Sequence, residues 1–587
     1  MTPRIGLGCM RLSTSPDRDD VRSIAVLHAA LDAGASLLDA SNAYCLDGTE
    51  VGHNERLIAE ALRTWSGDRA TIEVATKGGL TRPGGKWVPD ARGKSLRAAC
   101  EASRRALDVD VIDLYQLHAV DPKTPFETSV RALAALQADG LVRRVGLCNV
   151  TVGQMEAARH IVEVASVQVS LSPFDDENLR NGVAEYCRDN GIQLVAYRPL
   201  GGERMPRLAR DAGLSEVAAR HGVTPAEVVL AWLADLGPGV VPIPGATRVE
   251  TARSIATALR VRLRDDDRVL LDDRFSGRLL RVPRQARRAP DDANGEVVLV
   301  MGMPGAGKST IAQEIEAAGY SRLNRDERGG SLSDLVRALD AGLASSGRRW
   351  VLDNTYPSRR MRNEVVECAW QHGIPVRCVW AATSIGDAQV NAIMRMLSVH
   401  GRLPTPEEIR DLGKRDTRFL GPDALFRYER AVERPVMDEG FTRVEERPFV
   451  REPQSHASNR ALILDFDDLG EARRSAIARY AGDGWLVFAH AWRPQIAQGA
   501  ATLSEFALEA DRLRHALGFD VTVACCPHDA GPPICWCRKP LPGSVLEFAL
   551  ACGVDLARSI VVAKSAADRT MAERIGATVV DSADFFS

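Results

Sequence analysis

The chain has 587 residues, 45% of them hydrophobic, and its 75 basic and 78 acidic side chains leave a formal net charge of −3. This length predicts several domains, and the near-neutral charge excludes a globally basic nucleic-acid-binding protein, so any basic surface must be local. The start of the chain does not read as a signal peptide and no apolar run reaches membrane-spanning length, which predicts a cytoplasmic protein with no membrane partner. Nothing in the sequence indicates an oligomeric state.

In the first part of the chain, short apolar strands alternate with longer helical patterns. Repeated strand–helix units predict a parallel (β/α)8 TIM barrel at residues 1–275. Residues 276–295 are rich in Arg, Pro and Asp and predict a solvated linker, which we favour over a dedicated nucleic-acid contact. A second α/β domain is predicted at 296–450, a second linker at 451–459 and a third α/β domain at 460–587. The predicted fold class is therefore α/β throughout.

Four polar residues lie at or just beyond predicted strand ends of the first domain, where barrel active sites gather. Asp39, Lys77 and His118 each end a strand, and Tyr44 follows shortly after Asp39. A buried lysine paired with an aspartate is expected to lower the pKa of the tyrosine, which could then protonate a carbonyl oxygen as hydride arrives. Each residue alone is typical of a satisfied polar side chain, so the hypothesis depends on the whole set.

Five short motifs of this domain are specific enough to compare with known families. They are Gly6-Leu7-Gly8, Leu38-Asp39-Ala40-Ser41-Asn42-Ala43-Tyr44, Gly52-His53-Asn54-Glu55, Gly146-Leu147-Cys148-Asn149 and Pro242-Ile243-Pro244-Gly245-Ala246. With them the domain resembles the aldo-keto reductases. The resemblance implies a barrel that binds NADP(H) without a Rossmann fold and reduces a carbonyl compound. It also implies that Tyr44 is the acid and that Asp39, Lys77 and His118 support it.

The same resemblance implies a set of cofactor contacts. The nicotinamide amide would be held by Cys148, Asn149 and Gln168, and the adenosine 2′-phosphate would face Arg248 and Arg253. Two positions depart from the family pattern. Cys148 stands where Ser is usual, and Ser254-Ile255 stands where Glu-Asn usually grips the adenine. These departures bear on cofactor affinity and leave the catalytic set intact.

A glycine-rich run opens the second domain after the apolar strand-like segment 297–301. A strand, such a run and then a helical pattern are the context of a phosphate-binding loop, whose backbone N–H groups turn toward an anion. Lys308 is then expected to reach the β- and γ-phosphates of ATP, and the Ser309 hydroxyl to ligate Mg²⁺. The remaining nucleotide-binding candidates of the run are Gly302, Gly305, Gly307 and Thr310.

Further candidate residues narrow the predicted reaction of this domain to phosphoryl transfer. Asp326 follows a strand in Leu323-Asn324-Arg325-Asp326 and could take a proton from an acceptor hydroxyl. Asp353 ends another strand and is suited to bind Mg²⁺ or its water shell. Arg395 and Arg402 lie in a basic region that could form a lid over the transferring phosphoryl group, although either alone is typical of a solvated surface charge.

The loop, Asn324-Arg325-Asp326, Asp353-Asn354-Thr355 and Glu439-Gly440-Phe441 together resemble the kinase domain of polynucleotide kinase-phosphatases. The resemblance implies transfer of the ATP γ-phosphate to a 5′-hydroxyl of RNA or DNA, with Asp326 as general base and Arg395 as the better lid candidate. In the phage member of this family, an Arg three residues after the base contacts the acceptor phosphate. Gly329 occupies that position here, and Arg328 lies one residue earlier, which bears on acceptor preference. Small-molecule kinases with similar loops remain an alternative.

The third domain carries a carboxylate pair and a candidate metal-binding cluster. Asp465 and Asp467 follow a strand two residues apart, so one could attack a phosphoryl group while the other moves a proton. Cys-x-His and Cys-x-Cys pairs on a short loop supply four ligands for a closed, structural zinc site. These four ligands are Cys526, His528, Cys535 and Cys537.

With Arg538-Lys539-Pro540-Leu541-Pro542-Gly543 directly after the last ligand, the domain resembles haloacid-dehalogenase phosphatases. It is most similar to the heptose-bisphosphate and histidinol-phosphate branch. The resemblance implies Asp465 as nucleophile, Asp467 as acid/base, Arg538 or Lys539 as phosphate clamp, and Mg²⁺ held by Asp465, Asp467 and Asp568. Two departures favour a weakened or lost phosphatase. Ala489 stands where Thr or Ser should hold phosphate, and Lys564 replaces a Mg²⁺-facing Asp.

The modules together suggest a multifunctional end-repair enzyme. Its kinase would phosphorylate nucleic-acid 5′-hydroxyls, its third domain would remove or merely bind a 3′-phosphate, and its reductase would act on a small carbonyl compound or a damaged sugar. One alternative is a reductase–kinase–phosphatase fusion that processes one sugar or polyol. The other is a single working kinase whose outer domains act as binding or redox-sensing scaffolds.

Overall fold

The computed structural model describes residues 4–290, 294–345, 347–413, 416, 419–451, 457–529 and 535–587. The chain divides into two compact units, Met1–Arg288 and Ala289–Ser587, and each is considered by itself. Within the described ranges, no helix combines the length and the apolar character that crossing a bilayer requires.

The first unit is a closed parallel barrel, as predicted. Neighbouring strands pair in sequence order, and a parallel bridge between Gly8 and Gly245 joins the last strand to the first. Gly6 lies at this seam, where a Cβ would sit 2.7 Å from the carbonyl oxygen of Leu37, so the close approach requires glycine. The eight strands are Leu7–Gly8, Leu37–Asp39, Glu73–Gly78, Ile112–Leu117, Val142–Cys148, Val164–Ser170, Gln193–Tyr197 and Val240–Ile243.

Helices cover the outside of the barrel. Several begin at a side chain that accepts a hydrogen bond from the first turn, as Asp19 and Thr224 do, which satisfies N–H groups that have no partner within the helix. The α-helices are Met10–Thr14, Asp20–Asp32, His53–Thr64, Gly93–Leu107, Phe126–Ala138, Val152–Arg159, Glu177–Arg180, Val183–Asp189, Ala212–His221, Pro225–Asp235, Val249–Arg260, Asp265–Phe275, Arg278–Arg281 and Arg284–Arg287. A small hairpin, Leu80–Thr81 with Val88–Pro89, stands beside the barrel sheet.

The last two of these helices correct the predicted linker at 276–295. Arg281 pairs with Asp235 at 2.9 Å, and Arg284 and Arg287 lie 3.4 and 3.5 Å from Glu185. Leu280 is buried in the barrel core. The arginine run is therefore neutralised on the barrel surface instead of being solvated, because the folded barrel supplies acidic partners that are distant in sequence. Residues 291–293 of the predicted linker lie outside the described residues.

The second unit contains two parallel five-stranded sheets. The first has the strand order Ser321–Asn324, Arg349–Asp353, Glu296–Met301, Val376–Ala382 and Val444–Pro448. Its central strand is buried on both faces, as continuous apolar sequence predicts for a parallel sheet. Its helices are Lys308–Ala317, Arg325–Arg328, Leu332–Ser345, Arg359–Gln371, Ile385–His400, Pro406–Leu412 and Pro422–Ala431.

The second sheet has the strand order Val521–Cys526, Leu486–Trp492, Ala461–Asp465, Ile560–Ala563 and Thr578–Asp581. Its helices are Arg474–Gly482, Leu503–Leu517, Gly543–Cys552, Ala566–Ile575 and Ser582–Phe585. We call residues 294–451, which carry the first sheet, the P-loop half, and residues 457–587, which carry the second, the C-terminal half.

The two halves share a hydrophobic core. Ala388 and Met396 of the P-loop half belong to the same buried cluster as Phe488, Trp536 and Phe548 of the C-terminal half. The predicted linker at 451–459 therefore does not separate two independent bodies. Arg451 at its start bonds to Asp387, while residues 452–456 lie outside the described residues.

Candidate functional site

The barrel brings its four predicted catalytic residues together at the carboxyl ends of neighbouring strands. The Lys77 ammonium lies 2.6 Å from Asp39 Oδ1 and 3.1 Å from the Tyr44 hydroxyl, and it also donates to the carbonyl of Ala40. The His118 ring packs edge-on against Tyr44, with centroids 5.6 Å apart. Asp39, Tyr44 and Lys77 are all buried. One hydroxyl is thus held between a cation and an imidazole, which is a suitable arrangement for giving a proton to a carbonyl oxygen.

The electrostatics of the set differ in one respect from the sequence expectation. Burial raises the pKa of Tyr44 above its ordinary value, and the opposing effect of Lys77 does not overcome it. The predicted lowering of this pKa was therefore wrong, because desolvation of the phenolate outweighs the nearby charge. Burial also opposes charge on Lys77, but Asp39 and Tyr44 raise the pKa of that ammonium overall. Burial and Lys77 lower the pKa of His118 well below its usual range.

The aromatic residue Trp87 is a feature of this site that the sequence reasoning missed. It lies on the loop within the small hairpin, and its ring is edge-on to Tyr44 at 6.3 Å and to His118 at 6.2 Å. The guanidinium of Arg82 stacks on its ring at 3.9 Å. The sequence signal that could have identified Trp87 was a tryptophan in a Gly- and Pro-rich stretch that follows a strand end.

The predicted nicotinamide residues lie on the next strands around the barrel. Gln168 Nε2 donates to Asp39 Oδ1 at 2.6 Å, so it also orients the catalytic carboxylate. Cys148 is buried at the end of its strand. Asn149 follows it with a left-handed φ of 54° and accepts a hydrogen bond from the Tyr197 hydroxyl at 3.1 Å. Tyr197 was not among the predicted residues.

The predicted adenosine residues lie around the helix Val249–Arg260. Arg248 is at its N-cap, and both Arg248 and Arg253 are exposed. The hydroxyl of Ser254 is bonded to Glu227 at 2.8 Å, and Ile255 is buried. The arginines fit a phosphate group, whereas Ser254 and Ile255 offer no free polar group to an adenine. The residues present therefore fit NADP(H), with its phosphate end as the main anchor.

Replacing Arg248 with Ala is expected to raise the KM for NADPH about tenfold and to leave the KM for NADH within about twofold, because only NADPH carries the 2′-phosphate that a guanidinium would pair. Steady-state kinetics with both cofactors measure the difference. Arg260→Ala, at the far end of the same helix, is the matched control. Equal effects on the two cofactors would contradict this assignment of Arg248.

The glycine-rich run forms a loop between a buried strand and the helix Lys308–Ala317. Gly305 and Gly307 have φ values of 83° and 82°, which is the left-handed region. A Cβ on Gly305 would also collide with the carbonyl of Ala388. Lys308 Nζ donates to the carbonyl of Met303 at 2.8 Å, so its ammonium group lies against the loop. Ser309 and Thr310 are exposed at the start of the helix, and the loop fits a phosphate chain and its Mg²⁺.

Charged groups predicted from distant parts of the sequence surround Lys308. Burial lowers the pKa of Lys308 to about 8, Asp353 and Asp326 act to raise it, and Arg395 acts to lower it. Asp326 lies in the first turn of the short helix Arg325–Arg328, which the side chain of Asn324 caps by accepting from the Asp326 N–H at 2.7 Å. Arg402 is tied to Glu408 at 2.8 and 2.6 Å, whereas the charge of Arg395 acts on Lys308.

Asp353 is more constrained than the sequence indicated. It is 1% exposed, and both its oxygens are held by Arg322, at 3.1 and 2.9 Å. Asn324 Nδ2 also donates to it, at 2.9 Å. In this arrangement Asp353 positions the Asn324 cap beneath Asp326. Direct coordination of Mg²⁺ by Asp353 would require Arg322 to move aside.

Nucleotide binding is expected to weaken as the pH rises above 8, because Lys308, with its pKa lowered to about 8 by burial, must be protonated to pair with phosphate. An anionic phosphate next to the ammonium raises its pKa, so binding near pH 8 should take up a proton. Calorimetry of ATP binding in two buffers of different ionisation enthalpy measures that uptake. No dependence on the buffer at pH 8, where the group is half-charged in the free protein, would contradict the prediction.

In the C-terminal half, the predicted catalytic carboxylates all face protein cations. Lys539 Nζ lies 2.7 Å from Asp465 and 2.6 Å from Asp568. Arg493 lies 2.7 Å from Asp467. Burial disfavours the charged form of Asp568, but Lys539 and Ser565 bring the pKa of its carboxyl below the usual range.

The two departures from the phosphatase pattern lie beside these carboxylates. Lys564, which stands in place of a metal-facing Asp, has its ammonium 3.6 Å from the buried Asp468. Asp468 is also paired with Arg473. His490, next to Ala489, is buried and bonded to the carbonyl of Cys537 at 2.7 Å, and burial with nearby Lys539 lowers its pKa to about 4. This charge arrangement does not fit a Mg²⁺ ion, since side-chain cations already neutralise the acidic oxygens.

The four predicted zinc ligands converge. One ligand atom from each of Cys526, His528, Cys535 and Cys537 lies within 4.8 Å of the others. The Cys526 and Cys535 sulfurs are 3.8 Å apart, and the Cys537 sulfur lies 3.4 Å from His528 Nδ1. Three sulfurs and one imidazole nitrogen at these separations fit a tetrahedral zinc ion. Arg538, one of the two predicted phosphate clamps, instead donates to the carbonyl of Asp529, which leaves Lys539 at the carboxylates.

Comparison with known proteins identifies two parts of the chain. Residues 297–397 match the family model of an AAA domain, which is consistent with a P-loop, nucleotide-kinase-like domain, and residues 4–273 match the model of the aldo/keto reductase family. The aldo-keto reductase str7 of Strobilurus tenacellus is 30% identical over 305 residues, which cover 46% of this chain and 87% of that protein.

Solved structures also align with the barrel. An aldo/keto reductase from Klebsiella pneumoniae in complex with NADP and acetate is 26% identical, with 47% of this chain and 92% of that chain covered and a TM-score of 0.41. The glycerol dehydrogenase of Gluconobacter oxydans is 26% identical, with 48% and 93% covered and a TM-score of 0.42. Through residues 4–273, the chain studied here belongs to the aldo/keto reductase family.

Proposed function

We propose that this protein combines an NADPH-dependent carbonyl reductase with an ATP-dependent kinase whose acceptor is the 5′-hydroxyl of a nucleic-acid end. The observation that carries the kinase is the position of Asp326 and Arg395 near the glycine-rich loop. Arg395 lies on the helix whose Asn391 bonds to the carbonyl of Gly305 at 2.9 Å, and both charges act on the pKa of Lys308. A phosphate-binding loop alone would indicate only nucleotide binding. A carboxylate and a second cation beside it are what phosphoryl transfer adds.

In the kinase, the loop N–H groups and Lys308 would hold the β- and γ-phosphates, and Ser309 would ligate the Mg²⁺ that accompanies ATP. Asp326 lies half-exposed at the start of its helix, where it can accept the proton of an incoming hydroxyl. Arg395 would neutralise charge on the transferring phosphoryl group.

The acceptor assignment depends on charge near Asp326. Arg325 and Arg328 lie on the same short helix, and Arg328 is exposed. Arg325 is 3.6 Å from the Asp326 carboxylate, and its side chain is 38% exposed. Cations on both sides of the proposed base favour an acceptor that carries phosphate of its own, as a polynucleotide end does.

In the reductase, bound NADPH would be the source of hydride for a carbonyl carbon. This chain's own residues would hold the carbonyl oxygen at the Tyr44 hydroxyl and give it a proton, while Lys77 and Asp39 fix that hydroxyl. An aldehyde on a damaged sugar would link this reaction to the kinase. The support for that link is the presence of both domains on one chain.

For the C-terminal half, we infer a binding and structural role in place of phosphatase activity. The supporting observation is that Lys539 and Arg493 form ion pairs with the three carboxylates that would otherwise hold Mg²⁺ and attack a phosphate. In addition, Lys564 stands in place of an expected Mg²⁺-facing Asp. The Cys/His cluster would hold a structural zinc ion, because four protein ligands leave no open coordination position.

The test is transfer of labelled phosphate from ATP to a panel of 5′-hydroxyl DNA oligonucleotides, 5′-hydroxyl RNA oligonucleotides, sugars and polyols. We expect labelling of oligonucleotides and none of free sugars. Labelling of sugars alone would overturn the polynucleotide assignment and support a small-molecule pathway fusion. Release of phosphate from a 3′-phosphate oligonucleotide, lost in Asp465→Asn, would overturn the structural role of the C-terminal half.

A further inference from the structure

Trp536, in the metal-ligand loop of the C-terminal half, contacts the P-loop half. Trp536 lies between the ligands Cys535 and Cys537, and it is 1% exposed. Its indole Nε1 donates to the carbonyl of Leu420 at 2.8 Å. Trp536 also belongs to the buried cluster that contains Met396 and Leu425 of the P-loop half. The side chain is thus held by the ligand loop on one side and by the nucleotide-binding half on the other.

A second contact next to Trp536 involves the same two segments. Gly543 donates its N–H to the carbonyl of Trp536 at 3.0 Å. A Cβ on Gly543 would lie 2.9 Å from a methyl of Leu403, so these backbones approach closely. The N–H of Leu403 donates to Glu547 at 3.2 Å. Leu403 directly follows Arg402, and Leu420 precedes the helix Pro422–Ala431. The C-terminal half therefore bonds to the P-loop half on both sides of the helix Pro406–Leu412.

From this surface, a direct path of contacts leads to the phosphate loop. The helix Ile385–His400 precedes Leu403 and contributes Ala388 and Met396 to the shared cluster. The same helix also contacts the loop, where Asn391 Nδ2 donates to the carbonyl of Gly305 at 2.9 Å. The carbonyl of Ala388 is the group that would collide with a Cβ on Gly305. This helix also carries Arg395.

We propose that Trp536 is a positioning residue for the nucleotide site, and that the metal held by Cys526, His528, Cys535 and Cys537 sets the affinity of the phosphate loop for ATP by fixing Trp536. The inference rests on the proposed kinase function. A metal bound by all four ligands would fix the backbone on both sides of Trp536, a restraint that is lost when the metal is removed. A displaced indole would leave a cavity beneath the helix that contacts Gly305.

The experiment compares the full-length protein with Trp536→Ala, which removes the packing, and with Trp536→Phe, which keeps an aromatic ring but loses the bond to Leu420. Trp485→Phe is the control, because Trp485 packs against Tyr480 within the C-terminal half. Bound zinc, the dissociation constant for ATP and kinase kinetics are measured on each, together with hydrogen exchange of residues 385–403. Carbonyl reduction reports whether the barrel, a separate compact unit, is intact.

We expect Trp536→Ala to weaken ATP binding about tenfold and to speed hydrogen exchange in residues 385–403, with one zinc retained and kcat at saturating ATP within about twofold. Trp536→Phe should show a smaller effect in the same direction, and the control none. Removal of zinc by a chelator should reproduce the Trp536→Ala affinity, and readdition should restore it.

Two negative outcomes have different meanings. Failure of the parent protein to bind ATP, or equal binding by Lys308→Ala, would contradict the proposed kinase itself. Normal ATP affinity in both Trp536 variants and in the zinc-depleted protein, with Lys308→Ala defective, would overturn only the role of Trp536. If Trp536→Ala does not fold, Trp536→Phe and zinc depletion decide between these outcomes.

Discussion

Replacing Tyr44 with Phe is expected to lower kcat for carbonyl reduction by about 10²–10⁴-fold, the usual contribution of a positioned general acid. The phenyl ring keeps the edge-on contact with His118 and removes only the hydroxyl that Lys77 holds at 3.1 Å. NADPH affinity should stay within about twofold, because the predicted cofactor contacts lie on other strands. Stopped-flow oxidation of NADPH with an aldehyde panel measures the rate, and quenching of protein fluorescence measures cofactor binding.

The control for this prediction is Tyr186→Phe, which removes a hydroxyl bonded to Arg159 on the outside of the barrel. Lys77→Met should resemble Tyr44→Phe, since it removes the cation that orients the hydroxyl and leaves Asp39 buried without its partner. Lys77→Met is also expected to unfold at a lower temperature. Carbonyl reduction that survives Tyr44→Phe unchanged would contradict the role of Tyr44 and would favour a barrel that only senses NADP(H).

Replacing Asp326 with Asn is expected to lower kcat of phosphoryl transfer by about 10²–10⁴-fold, because an amide cannot accept the acceptor's proton. The amide keeps the size of the side chain, and the cap from Asn324 uses the backbone N–H of residue 326, so the helix should remain. ATP affinity and carbonyl reduction should both be unchanged. Initial rates with saturating ATP and a 5′-hydroxyl oligonucleotide measure the effect.

Asp340→Asn is the matched control, since Asp340 forms an exposed pair with His372 on a surface helix of the same half. Such pairs contribute about 0–1 kcal/mol to the free energy of unfolding, so that variant should behave like the parent. A fall in ATP affinity with unchanged kcat in Asp326→Asn would contradict a general-base role. It would instead make Asp326 a group that only tunes the charge around Lys308.

Much of the fold could be predicted because the relevant signals are local. Strand–helix alternation identified the barrel, and a glycine-rich run between a strand and a helix identified the phosphate loop. The arginine run at 278–287 was misinterpreted, because its partners Glu185 and Asp235 are distant in sequence. The core shared by Met396 and Trp536 was missed for the same reason. Apolar periodicity shows that a face is buried and does not identify what buries it.

The functional sites also contain some features that could be predicted from the sequence and others that could not. Asp39, Lys77 and His118 could be named from sequence, since the carboxyl ends of barrel strands meet at one face. The direction in which the pKa of Tyr44 shifts could not be predicted, because it depends on how completely neighbouring side chains exclude water. Lys539 was one of two predicted clamp residues, yet its bridge between Asp465 and Asp568 depends on three separate segments meeting. Trp87 and Tyr197 were missed because their contacts come from loops and strand ends with no motif.

The core common to the P-loop half and the C-terminal half constrains how this gene can change. An insertion, a deletion or an exchange that alters one half alone would expose the apolar faces of Met396, Phe488 and Trp536, which are buried together. A change that keeps the core of one half intact must therefore also suit the other half. The sequence of the C-terminal half is thereby constrained by packing alone, whatever chemistry its carboxylates perform.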